Sequence, residues 1–69
     1  MDRYQVSSSN IVSVGYDPHS ETLEIEFQSG AIYQYYGVSE DLYQRLIQES
    51  SVGRFFSTYI KNSYPYSRV

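Results

Sequence analysis

The segment from Thr22 to Phe27 alternates polar and apolar side chains without interruption, and it constrains the fold more than any other part of the sequence. The apolar side chains are Leu23, Ile25 and Phe27, and the polar ones are Thr22, Glu24 and Glu26. Successive side chains of a strand point to opposite faces, so one face is apolar and the other is acidic. A single strand cannot bury its own apolar face, so the chain must build a sheet with a covering layer. We expect the acidic face to be solvated.

A turn sequence on the N-terminal side of this strand predicts a first hairpin. Residues 17–20 combine a proline, which fixes φ for a β-turn, with an aspartate that can bond back to the backbone. The preceding segment, 11–16, is rich in β-branched residues. Its Val12, Val14 and Tyr16 alternate onto one face, which we expect to be buried.

The second hairpin has two possible registers. Gln28, Ser29 and Gly30 precede a third predicted strand at 31–36, and the loop can contain three residues or two. The three-residue loop places Ala31, Tyr33 and Tyr35 on the core face, and the two-residue loop places Ile32, Gln34 and Tyr36 there. The three-residue loop, with Gly30 in the left-handed conformation, buries two tyrosine rings and no glutamine, so we favour it.

Two amphipathic helices are predicted after the sheet. Ser39 is a suitable N-cap for the first, and Ser51 can cap the second. The apolar stripes are Leu42, Tyr43, Leu46 and Ile47 in the first helix, and Val52, Phe55, Phe56, Tyr59 and Ile60 in the second. Pro65 prevents a helix from continuing, so residues 64–68 are predicted to form an extended tail.

The predicted fold class is α+β: a three-stranded antiparallel meander (β-β-β) packed on one face by two C-terminal helices, followed by the extended tail. We expect the 69 residues to form a single domain, 1–69, whose core covers about 4–69. Because there is no cysteine, neither disulfides nor thiolate metal sites are available. No run of about 18 apolar residues and no signal-peptide pattern occur, so we expect a cytoplasmic protein without membrane contact.

Tyrosine is the anomalous residue of the composition, with 9 in 69 residues. That frequency is roughly four times the average. A tyrosine ring with its polar tip can fill a small core or form an adhesive surface. Tyrosines on faces predicted to pack are Tyr16, Tyr33, Tyr35, Tyr43 and Tyr59. The others are Tyr4, Tyr36, Tyr64 and Tyr66.

Residue types that carry catalysis or bind metals are sparse. His19, the one histidine, lies in a predicted turn without an acid–base partner at a defined spacing. Glu24 and Glu26 are neighbours on one strand face, which solvation of that face explains. The sequence has no glycine-rich phosphate loop. We therefore expect a protein that is not an enzyme and that has no catalytic residues, no metal and no cofactor.

Charge is unevenly distributed along the chain. Residues 1–41 hold one basic and seven acidic side chains, whereas residues 42–69 hold four basic side chains and one acidic one. The formal net charge of −3 therefore hides a basic C-terminal segment.

The basic C-terminal segment also contains tyrosines, and this combination is typical of single-stranded nucleic-acid binding. Arg54 and Lys61 are seven residues apart, which places them on one side of a helix. Arg68 follows in the tail and alternates with Tyr64 and Tyr66. Cations would bind phosphates and the rings would stack on bases. We predict these five residues as a nucleic-acid-binding site with RNA as the partner.

Two other interpretations stay open. The tail can pack back over the core, with the three cations only keeping a helix soluble. Alternatively, the chain is a protein-interaction module, including a homodimer, that docks through a tyrosine-rich sheet edge or an exposed tyrosine patch. Exposure separates these possibilities, because burial of Tyr64 and Tyr66 would prevent base stacking.

The ordered series of motifs along residues 4–69 resembles the KTSC domain family. The segments that carry the resemblance are Tyr16-Asp17, Leu23-x-Ile25-x-Phe27-x-Ser29-Gly30, Tyr33-x-Tyr35, Val38, Ser51-x-Gly53-x-Phe55-Phe56-x-x-x-Ile60-Lys61 and Tyr64-Pro65-Tyr66-x-Arg68-Val69. The chain has Ser39 where the family often has proline after the valine, which leaves the helix start to a side-chain cap.

The resemblance implies a domain built from a sheet and helices, with no known catalytic residues. Members occur as small stand-alone bacterial and phage proteins and at the C-terminus of some lysyl-tRNA synthetases. The attachment to synthetases implies an RNA context, which is an association by company and not by chemistry.

Overall fold

All five strands of the protein belong to one antiparallel sheet, with the strands side by side in chain order. The computed structural model describes residues 1–69. The elements are β1 (Arg3–Gln5), β2 (Ile11–Asp17), β3 (Thr22–Phe27), β4 (Ile32–Tyr36), α1 (Glu40–Gln48), α2 (Val52–Tyr59) and β5 (Tyr66–Arg68). The α+β class and the two C-terminal helices are confirmed. The prediction of three strands is wrong, because a short strand is added at each edge of the meander.

The two additional strands are held by backbone pairing and not by burial. Every residue of β1 and β5 is exposed, and each strand has three residues. The predicted tail is extended, but it also pairs with β4: the Tyr36 amide donates to the Pro65 carbonyl at 2.9 Å, and the Val69 amide donates to the Ile32 carbonyl at 2.9 Å. The tail is therefore a strand of the sheet.

The second hairpin has the favoured three-residue loop. The Phe27 amide donates to the Ala31 carbonyl at 2.9 Å, and Ile25 pairs with Tyr33. Gly30 has φ of +94°, a conformation that L side chains rarely adopt. The register therefore places Tyr33 and Tyr35 on the helix side of the sheet, as predicted.

An irregularity in β2 changes which residues face the core. Ile11 pairs with Phe27 and Ser13 pairs with Glu26, so Val12 is an extra residue in a bulge. Ile11 is consequently fully buried, whereas Val12 is half-buried. The predicted alternation of Val12, Val14 and Tyr16 is wrong at its first position, because the bulge shifts the side-chain period by one.

The core lies between one face of the sheet and the two helices. Its members are Ile11, Val14, Leu23, Ile25, Tyr35, Val38, Tyr43, Leu46, Val52, Phe55, Phe56 and Ile60. Both predicted caps form: the Ser39 hydroxyl accepts from the Leu42 amide at 3.2 Å, and the Ser51 hydroxyl accepts from the Arg54 amide at 3.3 Å. Neither helix has the length and apolarity needed to cross a membrane.

The acidic face of β3 was predicted to be solvated, and this prediction is wrong for Glu24. Glu24 is only 7% exposed, because Arg3 of β1 forms an ion pair with it and Gln34 of β4 donates to it at 2.9 Å. The side-chain hydrogen bonds continue in both directions: Arg3 and Glu26 both bond to the Ser13 hydroxyl, and Tyr36 joins Gln34 to Ser67 of β5. We call this chain of contacts across all five strands the polar ladder.

Candidate nucleic-acid interface

The structure divides the tyrosines between core and surface. Tyr16, Tyr33, Tyr35 and Tyr43 pack as predicted: Tyr35 and Tyr43 are buried, and the other two pack against the core. Burial raises the pKa of the hydroxyls of Tyr35 and Tyr43 above the ordinary value for tyrosine. The prediction that Tyr59 packs in the core is wrong, because this residue is 50% exposed, although its ring contacts that of the core residue Phe55 with centroids 4.7 Å apart.

A small groove of about 190 Å³ opens where the end of α2 meets strands β4 and β5. Its lining residues are Tyr33, Tyr35, Lys61, Asn62 and Tyr66. We call it the tyrosine groove. It combines three aromatic rings with one cation and one amide, which is the chemistry that a nucleobase and its phosphate require.

Tyr66 provides an accessible ring at the tyrosine groove. It pairs with Tyr35 across the sheet, so its ring stands on the helix side. The ring centroid lies 5.6 Å from that of Tyr35 and 5.7 Å from that of Tyr33. Tyr66 nevertheless stays 58% exposed. One side of the ring is therefore supported by its neighbours while the residue remains accessible to a ligand.

One cation lies at the groove with this ring, and a second lies on the same face of β5. Lys61 lines the groove, and its amide donates to the Phe56 carbonyl at 3.0 Å, which fixes the chain as it leaves α2. Arg68 pairs with Tyr33 and therefore lies on the same face of β5 as Tyr66. Both cations are exposed, and the ion pairs of the chain involve only Arg3 with Glu24 and Glu26. The positive charge at the groove is therefore not neutralised by a carboxylate.

The other two predicted site residues lie elsewhere or are less accessible. Tyr64 is half-buried and packs against the core. Arg54 lies at the beginning of α2, where it lines a polar cleft of about 550 Å³ together with serines of the β1–β2 loop. The structure thus brings Lys61, Tyr66 and Arg68 to one edge of the molecule and leaves Arg54 at the other end of the helix.

Three residues of the groove were not predicted as site residues. Tyr33 and Tyr35 were assigned to the core alone, yet both also line the groove. Asn62 follows the helix as an exposed polar residue with no pattern around it that could have singled it out.

The residues considered for catalysis lie among hydrogen bonds and ion pairs that hold the fold together. Asp17 accepts from the His19 amide at 3.0 Å and from the Ser20 hydroxyl at 3.0 Å. Both hydrogen bonds lower the pKa of the Asp17 carboxyl, and the bond from the Ser20 hydroxyl has the larger effect. Glu24 and Glu26 are both partners of Arg3 in the polar ladder. No three His, Cys, Asp or Glu side chains converge to hold a metal ion.

Comparison with known proteins gives one consistent result. The KTSC domain family matches residues 7–64. A protein from Stutzerimonas stutzeri is 41% identical to the chain, and the match covers 100% of the chain and 99% of that protein. The crystal structure of a KTSC domain protein from Yersinia pestis superposes with a TM-score of 0.96 at 43% identity, covering 99% of this chain and 96% of that one.

The chain also matches part of a much larger protein. A lysine–tRNA ligase from Nostoc sp. is 34% identical over 61 residues, which is 88% of this chain but 11% of the ligase.

Proposed function

The chain belongs to the KTSC domain family, and from this premise we propose that it is a non-enzymatic binding module that holds single-stranded RNA at the tyrosine groove. The observation that carries the proposal is the exposed ring of Tyr66 beside Lys61 and Arg68, two cations without a carboxylate partner. A base stacks on the ring, and the adjacent phosphates bind the cations.

The energetics of such a contact fit a small module. Stacking of one base on an aromatic side chain contributes about 1–3 kcal/mol. Two phosphate contacts add a salt-dependent part that comes from counterion release. Two of the eight acids, Glu24 and Glu26, do not oppose this contact, because they lie on the other face of the sheet and pair with Arg3.

The relatives support RNA as the ligand. The lysine–tRNA ligase from Nostoc sp. contains a region similar to this domain, and a ligase of that name acts on tRNA. A domain that binds exposed, unpaired nucleotides would add affinity for such a substrate. Under this proposal, the present chain applies the same surface to RNA.

Fluorescence anisotropy with a labelled single-stranded RNA and with tRNA tests the proposal. We expect Tyr66→Ala to weaken binding by about 1–3 kcal/mol, because the stacking surface is lost. Tyr4→Ala is the matched control, since Tyr4 is also exposed but lies on β1 at the opposite edge of the sheet. Absence of binding at low salt, or equal affinities of the two variants, would contradict the proposal.

The free edge of β5 favours a second candidate, a protein-interaction module. Hydrogen bonds to β4 use Pro65 and Val69, and in an antiparallel pair the residues in alternate positions point away. The backbone groups of Tyr66 and Arg68 are therefore free to pair with an extended peptide or with a second copy of the chain.

Two substitutions of Arg68 separate the candidates. Arg68→Gln removes only the charge, whereas Arg68→Pro also removes the outward amide without breaking the pairing with β4. RNA binding predicts the same loss for both variants. Edge pairing predicts that only Arg68→Pro abolishes association, which sedimentation at high protein concentration and pull-down of partner proteins would measure.

A further inference from the structure

We propose that Asn62 contacts the Hoogsteen edge of the bound base and that the tyrosine groove thereby selects adenine. The proposal rests on the RNA-binding function proposed above. Asn62 lines the groove with the three tyrosines and Lys61. It is exposed, and its side-chain amide takes part in none of the hydrogen bonds of the chain. Its donor and acceptor are both available to a ligand.

Asn62 contributes a primary amide, which can recognise the edge of a base through two hydrogen bonds at once. An asparagine side chain presents an acceptor oxygen beside an N–H donor. On its Hoogsteen edge adenine presents the complementary pair, the N6 amino group beside the N7 acceptor, so two hydrogen bonds form together when this edge faces Asn62. Lys61 has only donors and Tyr66 offers a ring face, so neither can distinguish adenine from the other bases by this pairing.

Adenine also fits the stacking surface. The Tyr66 ring packs beside Tyr33 and Tyr35, with ring centroids 5.7 Å and 5.6 Å away, so two neighbouring rings support the exposed ring of Tyr66. A purine covers more of that ring than a pyrimidine does. On the same edge guanine presents two acceptors, N7 and O6, which suit a lysine, and a pyrimidine has no N7, so neither forms the paired contact with the Asn62 amide.

Single-nucleotide replacement in a short RNA tests this inference. The probes are labelled oligouridylates with one central adenosine, guanosine, cytidine or purine riboside, the last of which lacks the N6 amino group. We expect adenosine to bind about 2- to 12-fold more tightly than purine riboside, the range of the one hydrogen bond to N6 that purine riboside cannot make. Asn62→Ala should abolish this ratio and weaken purine riboside less than adenosine, because purine riboside has only the N7 contact to lose.

Further variants distinguish a failure of adenine selection from misfolding and from a failure of RNA binding. Asn62 is exposed, so the thermal unfolding midpoint of Asn62→Ala should equal that of the wild type. Equal affinity of the wild-type protein for all probes, together with weaker binding by Tyr66→Ala, would overturn adenine selection and leave RNA binding standing. A guanosine preference that Lys61→Gln removes would also overturn it. Failure of every probe to bind would remove both proposals.

Discussion

At Gly15 the chain has no space for a side chain, because β1 lies directly over this position. A Cβ atom here would come within 2.5 Å of the Asp2 carbonyl oxygen and 2.9 Å of the Cγ atom of Arg3. The first of these atoms belongs to the backbone, so the whole strand must move to make room. Glycine at this position therefore allows β1 to reach β2 closely enough for Arg3 to contact Glu24.

We expect Gly15→Ala to lower the free energy of unfolding by about 1–3 kcal/mol, because the added methyl group displaces β1. Urea denaturation measures the change. Tyr4→Ala, on the same strand but exposed, is the control and should change stability by less than about 0.5 kcal/mol. Equal stability of Gly15→Ala and wild type would show that β1 accommodates a side chain there.

The candidate site could be predicted from the sequence only in part. Tyr66 and Arg68 could be predicted because they lie two residues apart in a segment that contains both aromatic and basic side chains. Helical spacing assigned Arg54 and Lys61 to one side of a helix, but it could not show that α2 ends at Tyr59 and separates them. Asn62 was missed because a single polar residue has no periodicity, and only the folded chain places it against the rings.

The polar ladder makes the edge strands sensitive to acid. Burial of Glu24 would raise the pKa of its carboxyl, but hydrogen bonds from Gln34 and Arg3 and the charge of Arg3 outweigh burial and hold the pKa below the ordinary value. A carboxyl with a lowered pKa in the folded state adds stability above its unfolded pKa. That stability is lost as the pH falls through the lower, folded value.

We expect Glu24→Gln to be less stable than wild type at neutral pH, with a difference that shrinks as the solution is acidified to about pH 3. Thermal unfolding midpoints across this range measure it. Asp17→Asn removes the other carboxyl with a lowered pKa and should leave the effect of Glu24→Gln intact. A difference that stays constant with pH would show that Glu24 acts by packing and not by charge.

The central elements were predictable and the edge strands were not. Strand β3 has strict alternation and the helices have serine caps, so local patterns determine them. Strands β1 and β5 bury no residue and consequently have no hydrophobic pattern. They form because β2 and β4 offer unpaired backbone groups, which is a property of the assembled sheet. Burial of Glu24 was unpredictable for the same reason, since Arg3 reaches it only after β1 has docked.

At the scale of the whole molecule, the sheet separates two of the eight acids from the tyrosine groove. Glu24 and Glu26 lie on the face without helices, and Lys61 lies at the groove on the helix side. The net charge of −3 therefore does not describe the surface that the proposed RNA contacts.

The number of cations at the interface sets the salt dependence of binding. Each phosphate contact on a single strand contributes a slope of about −0.7 to a plot of the logarithm of the association constant against the logarithm of salt concentration. With contacts from Lys61 and Arg68 alone, we therefore expect a slope of about −1.4. Arg54→Ala should leave this slope unchanged, whereas Lys61→Ala should halve it. A slope that becomes shallower in Arg54→Ala would instead extend the interface along α2 to the polar cleft.

Strand β5 completes the sheet and also carries the ring and one cation of the proposed binding surface. Its attachment depends on few groups, including the Val69 amide on the Ile32 carbonyl at 2.9 Å and the Tyr36–Ser67 side-chain contact. Opening of such a strand competes with ligand binding, since a frayed strand presents no ordered ring. Occupancy of the groove would therefore slow exchange of the Ser67 and Val69 amide hydrogens and protect the last residues from carboxypeptidase. Both signals report binding without a label on either molecule.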